Sequence, residues 1–232
     1  MKRGYCVEID WNSPEVEGMS SGVCNSSARH RQFRGEVEQF VEEFSTLGSS
    51  GVFDANKLIS QWFPIVKADV FLSHSHDSKG EVEALASYIE SKTGKVAFVD
   101  SLYWDSADKM VELFYDFIAE RNDKGRFKVD SLLKASEHVH CMLERSILAM
   151  MDKCDDFVFL DESSSVSNVT LSPWIYSELE FSKHLLGSEG MIKEGVENFS
   201  VQVAYNKSLK HLSKVTLDGL CRQLRGNSLW RC

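Results

Sequence analysis

The stretch Asp69-Val70-Phe71-Leu72-Ser73-His74-Ser75-His76-Asp77 decides how this chain is read. Val70-Phe71-Leu72 is apolar throughout, without the polar alternation of a half-exposed strand, and it breaks into a loop of hydroxyl and imidazole side chains. Strands covered on both faces read in this way, as they do in a parallel sheet flanked by helices. Two further runs share the character, Val96-Ala97-Phe98-Val99 and Phe157-Val158-Phe159-Leu160. Each run ends in polar residues: Ser73-His74, Asp100 and Asp161-Glu162. In an open α/β sheet the ligand lies beyond the carboxyl ends of the strands, so these endings are where chemistry is expected.

Between the first two runs, Val82, Leu85, Ala86 and Ile89 fall at i, i+3, i+4 and i+7, the stripe of an amphipathic helix. Asp77 or Ser78 suits its start and Gly94 its end. The interval from Asp100 to Asp156 is too long for one crossover and holds two helical patterns. Met110, Leu113, Phe114 and Phe117 mark the first, read as an insertion, and Val139, Met142, Leu143, Ile147 and Met150 mark the crossover helix. Ser172-Pro173 is a helix start, with serine as N-cap and proline in the first turn, and the helix is expected to reach about Leu186. Phe199, Val201, Val203 and Tyr205 alternate like a strand, and a last helix is expected from about Ser208 with Leu209, Leu212, Leu217 and Leu220. The first 66 residues read as an N-terminal extension: irregular to Ser27, then a helix carrying Val37, Phe40, Val41 and Phe44.

Composition narrows the function classes. The chain has 232 residues, 43% of them hydrophobic and 26% charged, with only 3 prolines, which is the profile of a globular protein with a full core. A formal charge of −9 argues against a general nucleic-acid binder, which needs a basic footprint. No apolar run approaches the roughly 18–20 residues of a membrane span. Glu8 and Asp10 stand where a signal peptide would need apolar residues, so a cytoplasmic location is expected. The six cysteines are dispersed without a Cys-x-x-Cys pair, which favours reduced structural thiols over a metal site.

Two segments can carry chemistry. The Ser73–Asp77 loop, opening a helix after a strand, reads either as a nucleotide-binding edge, where backbone N–H groups favour phosphate, or as a polar loop with a helix cap. Trp174 and Glu178, four apart on a helix, are neighbours on one face. There a desolvated carboxylate beside an indole makes a pocket for a base or a cationic ring; otherwise the tryptophan fills the core and the glutamate is solvated. His138 and His140 fall on opposite sides of a helix and cannot chelate one metal well. No G-x-G-x-x-G, P-loop or G-x-S-x-G is present.

Taken in order, Asp69–Asp77, Lys95–Ser101 (KVAFVDS), Asp155–Asp161 (DDFVFLD) and Ser172–Glu180 (SPWIYSELE) resemble the successive motifs of a Toll/interleukin-1 receptor (TIR) domain. The likeness is to bacterial members associated with anti-phage defence, of the Thoeris type, and covers about residue 67 to the end of the chain. It implies a flavodoxin-like parallel sheet with helices on both faces, over 67–232, with an insertion near 106–135 that departs from the family pattern. The enzymatic members cleave NAD+ at the nicotinamide–ribose bond, and their essential glutamate lies four residues after the helix tryptophan, a position matched here by Glu178. By the same matching, Ser73, His74, Ser75 and His76 line the phosphate and ribose side, and Asp100, Trp104 and Trp174 border the nicotinamide end. NAD+ is then substrate, with no separate cofactor or metal. Expected partners are further copies of the chain and an effector protein sensing the product; the alternative is a non-enzymatic adaptor acting by self-association.

Overall fold

The computed structural model describes residues 3–11, 16, 19, 54–75, 79–104, 110–112, 128–161, 169–170, 172–187 and 205–226. The chain divides into two compact units, one of residues 1–25, 67–99 and 150–232, the other of 26–66 and 100–149. The elements in chain order are β1 (Arg3–Val7), α1 (Ala55–Trp62), β2 (Val70–Ser73), α2 (Lys79–Thr93), β3 (Ala97–Phe98), α3 (Asp100–Tyr103), α4 (Val129–Lys153), β4 (Asp156–Leu160), β5 (Val169–Thr170), α5 (Pro173–Leu185), β6 (Tyr205–Asn206), β7 (Ser213–Val215) and α6 (Leu217–Arg225).

The first unit is built on a five-stranded sheet in the order β3-β2-β4-β1-β7, parallel at every pairing. The α/β class and the parallel sheet flanked by helices are as the apolar runs predict, and the architecture is consistent with a flavodoxin-like fold. Every residue of β2 and β4 is buried, as strands covered on both faces require. Register fixes the faces. Phe71 pairs with Phe157 and Phe98, and its ring packs against both, so these three side chains share one face. Two residues further along the same face come Ser73 on β2 and its partner Phe159 on β4.

The predicted stripe of α2 is the buried one: Val82, Leu85, Ala86 and Ile89 are all closed to solvent. Each such large side chain contributes about 1.5–3 kcal/mol, against roughly 1 kcal/mol for a cap, so the stripe and not the ends holds the helix in place. Gly94, at φ 71°, closes it in the left-handed conformation that glycine adopts at no steric cost. The proposed start at Asp77 or Ser78 lies outside the described residues. In α4, Val139, Met142, Leu143, Ile147 and Met150 are buried as predicted.

The sequence reading is corrected at two places. Arg3–Val7, read as irregular, is strand β1, and it sits inside the sheet between β4 and β7. The helix expected from about Ser208 begins at Leu217, because Ser213–Val215 pairs with β1 and the Thr216 hydroxyl then caps the helix by accepting from the Gly219 N–H at 3.2 Å. The helix expected around Val37–Phe44 and most of the strand expected from Phe199 lie outside the described residues; Tyr205–Asn206 forms a short antiparallel ladder with Val169–Thr170.

The second unit includes α1, capped by the Asp54 carboxylate on the N–H groups of Asn56 and Lys57, and most of α4. Leu58, Trp62, Phe63 and Trp104 are buried within it. Among the described residues no helix is long and apolar enough to cross a membrane.

Candidate functional site

Two elements of the first unit build the site. β2 delivers Ser73 at its carboxyl end, 1% exposed, followed by the buried His74. Helix α5 delivers Glu178. Its start is set by Ser172, whose backbone is extended at φ −86°, ψ 116° and whose Oγ accepts from the Ile175 N–H at 3.3 Å, with Pro173 in the first turn. Ile175, Leu179 and Ser182 are buried along one side of the helix, and Glu178 joins them at 6% exposure. The Ser73 hydroxyl donates to Glu178 Oε2 at 2.5 Å. A carboxylate so far from water needs donors to offset its desolvation, and a hydrogen bond to a charged acceptor is of the stronger kind.

Gly4 leaves room beside β1 for two leucine side chains. It lies on the same sheet face as Phe157, its partner in the ladder, and a Cβ there would meet Leu186 Cδ1 at 2.4 Å and Leu212 Cδ2 at 2.6 Å. Leu186, the residue that follows α5, and Leu212 therefore pack where a side chain at Gly4 would stand. Past the helix, Gly187 turns the chain at φ 68°.

Of the residues singled out in the sequence, Ser73 and Glu178 are brought together. Trp174 sits half-buried one turn before Glu178, and Ser75 is half-buried after His74. His76 lies outside the described residues. Asp100 and Trp104 belong to the second unit. There Asp100 opens α3, its carboxylate accepting from the Ser101 N–H at 2.7 Å. Trp104 is packed edge-on against Phe63, with its indole N–H on the Pro64 carbonyl at 3.3 Å. His140 folds back on its own helix, its Nδ1 lying 2.8 Å from the Ser136 carbonyl.

Apart from the strand ending at Asp161, the other polar groups of this unit described next were not singled out. Asp161, just past β4, accepts from Lys207 Nζ at 2.8 Å, and both side chains are more than nine-tenths buried. Lys207 also lies over the Phe159 ring, 5.5 Å from its centroid. Cys6, the ladder partner of Phe159, has its thiol pushed up to about 11, chiefly by burial and then by the Asp161 charge, so it stays protonated. One turn beyond Glu178, Ser182 donates to the Leu179 carbonyl and therefore accepts from His211 Nε2 at 2.7 Å. Burial, and then the charge of Lys183, lowers His211 to about 4. Only the polar strand ending at Asp161 was visible in sequence; Lys207 and His211 carry no local signal.

The arrangement offers a buried carboxylate held by a hydroxyl, an aromatic side chain one turn away and a lysine–aspartate pair, all at the strand endings. Comparison of the chain with protein-family models, with curated proteins and with solved structures finds no match.

Proposed function

We propose that this chain is an NAD+-consuming enzyme of the TIR type that breaks the nicotinamide–ribose bond, with Glu178 as its essential carboxylate. The observation that carries the reading is the burial of Glu178 against the Ser73 hydroxyl at the carboxyl end of β2. The order of the four motifs supplies the substrate class.

The chemistry suits a site with a single essential carboxylate. Ordinary glycoside hydrolysis uses two, one of them to protonate the leaving oxygen. Nicotinamide in NAD+ is already cationic and departs neutral, taking the bonding electron pair with it, so no general acid is needed. Positive charge then develops on the ribose at C1′ and O4′, and the Glu178 carboxylate stabilises it. Ser73 fixes one carboxylate oxygen beforehand, so little reorganisation is left for the moment of reaction. Trp174, on the same face of α5, provides a ring against which the pyridine stacks. Water adding at C1′ and losing a proton gives ADP-ribose, while attack by a group of the same molecule gives a cyclic isomer. The setting proposed with this activity is cytoplasmic antiviral signalling in bacteria, with self-association and an effector that senses the product.

The test is incubation of the purified full chain with NAD+ and identification of the products by mass spectrometry. Nicotinamide together with ADP-ribose or a cyclic isomer is expected from the unsubstituted protein, and neither above background from Glu178→Gln. Absence of any turnover at high protein concentration sinks the enzymatic reading and leaves the adaptor.

A further inference from the structure

At the carboxyl end of the sheet the mechanism leaves one buried charged pair unused. Lys207 and Asp161 have side chains only 7% and 9% exposed. Removing two charges from water costs several kcal/mol per ion, and an apolar pair of similar volume is often as stable or more so. Stability therefore gives no reason for this pair to stand where it does, and its place in the fold does. Ser73 and Phe159 are ladder partners on one sheet face, on strands about 4.8 Å apart. Glu178 meets that face at Ser73, and the Lys207 ammonium meets it at Phe159. Tyr205, two residues before Lys207, stacks on Tyr176 of α5 at 5.0 Å, which ties the lysine's segment to the helix that carries Glu178.

We propose that Lys207, held in place by Asp161, anchors the diphosphate of the dinucleotide in the Ser73–Glu178 site. This rests on the NAD+ reading above and assigns the part of the substrate that Glu178 does not handle. A chain of net charge −9 needs a local cation to take a diphosphate. Lys214, another cation near this end of the sheet, is also paired, with Glu8, but it is 72% exposed, and water screens its charge. Lys207 is the desolvated one, and charge-assisted hydrogen bonds gain most where water is excluded. Asp161 fixes the flexible lysine stem in advance, which lowers the ordering cost of binding.

The test compares two ligands that share an adenosine, only one of which has a diphosphate. Dissociation constants of ADP-ribose and of adenosine are measured by calorimetry on the full chain, on Lys207→Met, on Lys207→Arg and on the charge-balanced Asp161→Asn/Lys207→Met. The proposal expects at least a tenfold loss of ADP-ribose affinity in both methionine variants, adenosine within twofold, and partial retention in Lys207→Arg. Independently of any variant's folding, inorganic pyrophosphate should displace ADP-ribose, but not adenosine, from the unsubstituted chain. Unchanged ADP-ribose binding by a folded methionine variant, an equal loss for both ligands, or no displacement by pyrophosphate overturns it. NAD+ turnover measured alongside separates the two ideas: turnover with no effect at Lys207 defeats the anchor alone, and diphosphate-selective binding without turnover defeats the enzymatic reading alone.

Discussion

At the amino ends of the strands, the Asp156 carboxylate is fully buried and closed off by cations. Arg3 donates Nε and Nη2 to its two oxygens at 2.7 and 2.9 Å, and Lys95 Nζ adds a third bond at 2.7 Å. At the carboxyl ends, a buried carboxylate of the same kind, Glu178, is met by the Ser73 hydroxyl at 2.5 Å. The first arrangement stitches β1, β4 and the start of β3 together and uses the acceptor capacity of the carboxylate within the fold. The second places a carboxylate that accepts from a serine hydroxyl at the end of the sheet where α/β folds bind ligands. The difference teaches that burial of a charge does not by itself mark a candidate site; the strand end on which it lies separates the two carboxylates.

The contrast can be broken most forcefully by exchanging effects between the ends. Glu178→Gln keeps the shape of the side chain and removes the charge, and it should lower NAD+ turnover by at least about 100-fold, the scale seen when one electrostatic stabiliser is lost. Its melting temperature should stay close to that of the parent, as followed by circular dichroism. Asp156→Ala should do the reverse. It leaves Arg3 and Lys95 facing a buried gap and should cost about 3–5 kcal/mol in urea unfolding, with turnover retained in the fraction that stays folded.

A smaller effect tests how the ends are linked. Gly4→Val puts a branched side chain against Leu186 and Leu212 and should cost about 1–3 kcal/mol. Both contacts are the tips of leucine side chains, so turnover should fall no further than the loss of folded protein explains. A pH series probes the middle of the same helix. His211 lies at about 4 in the folded chain against an ordinary value near 6.5, so between those values the unfolded chain binds a proton that the folded one refuses. Stability is therefore full above about pH 6.5 and falls as the pH drops toward 4; His211→Gln should flatten that slope in denaturant titrations. Ser172→Ala should be the mildest, about 1 kcal/mol from loss of the α5 cap.

Much of the sheet was legible because its central strands carry unbroken apolar runs and its helices carry a clean stripe. Strands β2 and β4, helix α2 and the Ser172-Pro173 start of α5 all follow from residues next to one another in the chain. Strands β1 and β7 were not legible for a physical reason. Arg3 and Gly4 break the apolar run of β1, one to reach Asp156 and the other to admit Leu186, and β7 is a three-residue edge strand whose Ser213 and Lys214 face solvent. Leu209 and Leu212 then imitate the stripe of the helix that begins five residues later. In the candidate site, Glu178 was singled out by its place one helical turn after Trp174 together with the likeness of that helix to the family motif. Its partner Ser73 lies 105 residues away, and Lys207 lies 46 residues from Asp161, so the contacts themselves exist only in the folded chain.

The central claim is that the carboxyl-end carboxylate does chemistry while the amino-end carboxylate holds the sheet. The most direct measurement is nicotinamide release from NAD+ by the parent chain and by Glu178→Gln, at matched concentration and below the melting temperature of both. The account predicts release by the parent and at least a 100-fold loss in the variant. Release by a folded Glu178→Gln at the parental rate would contradict it.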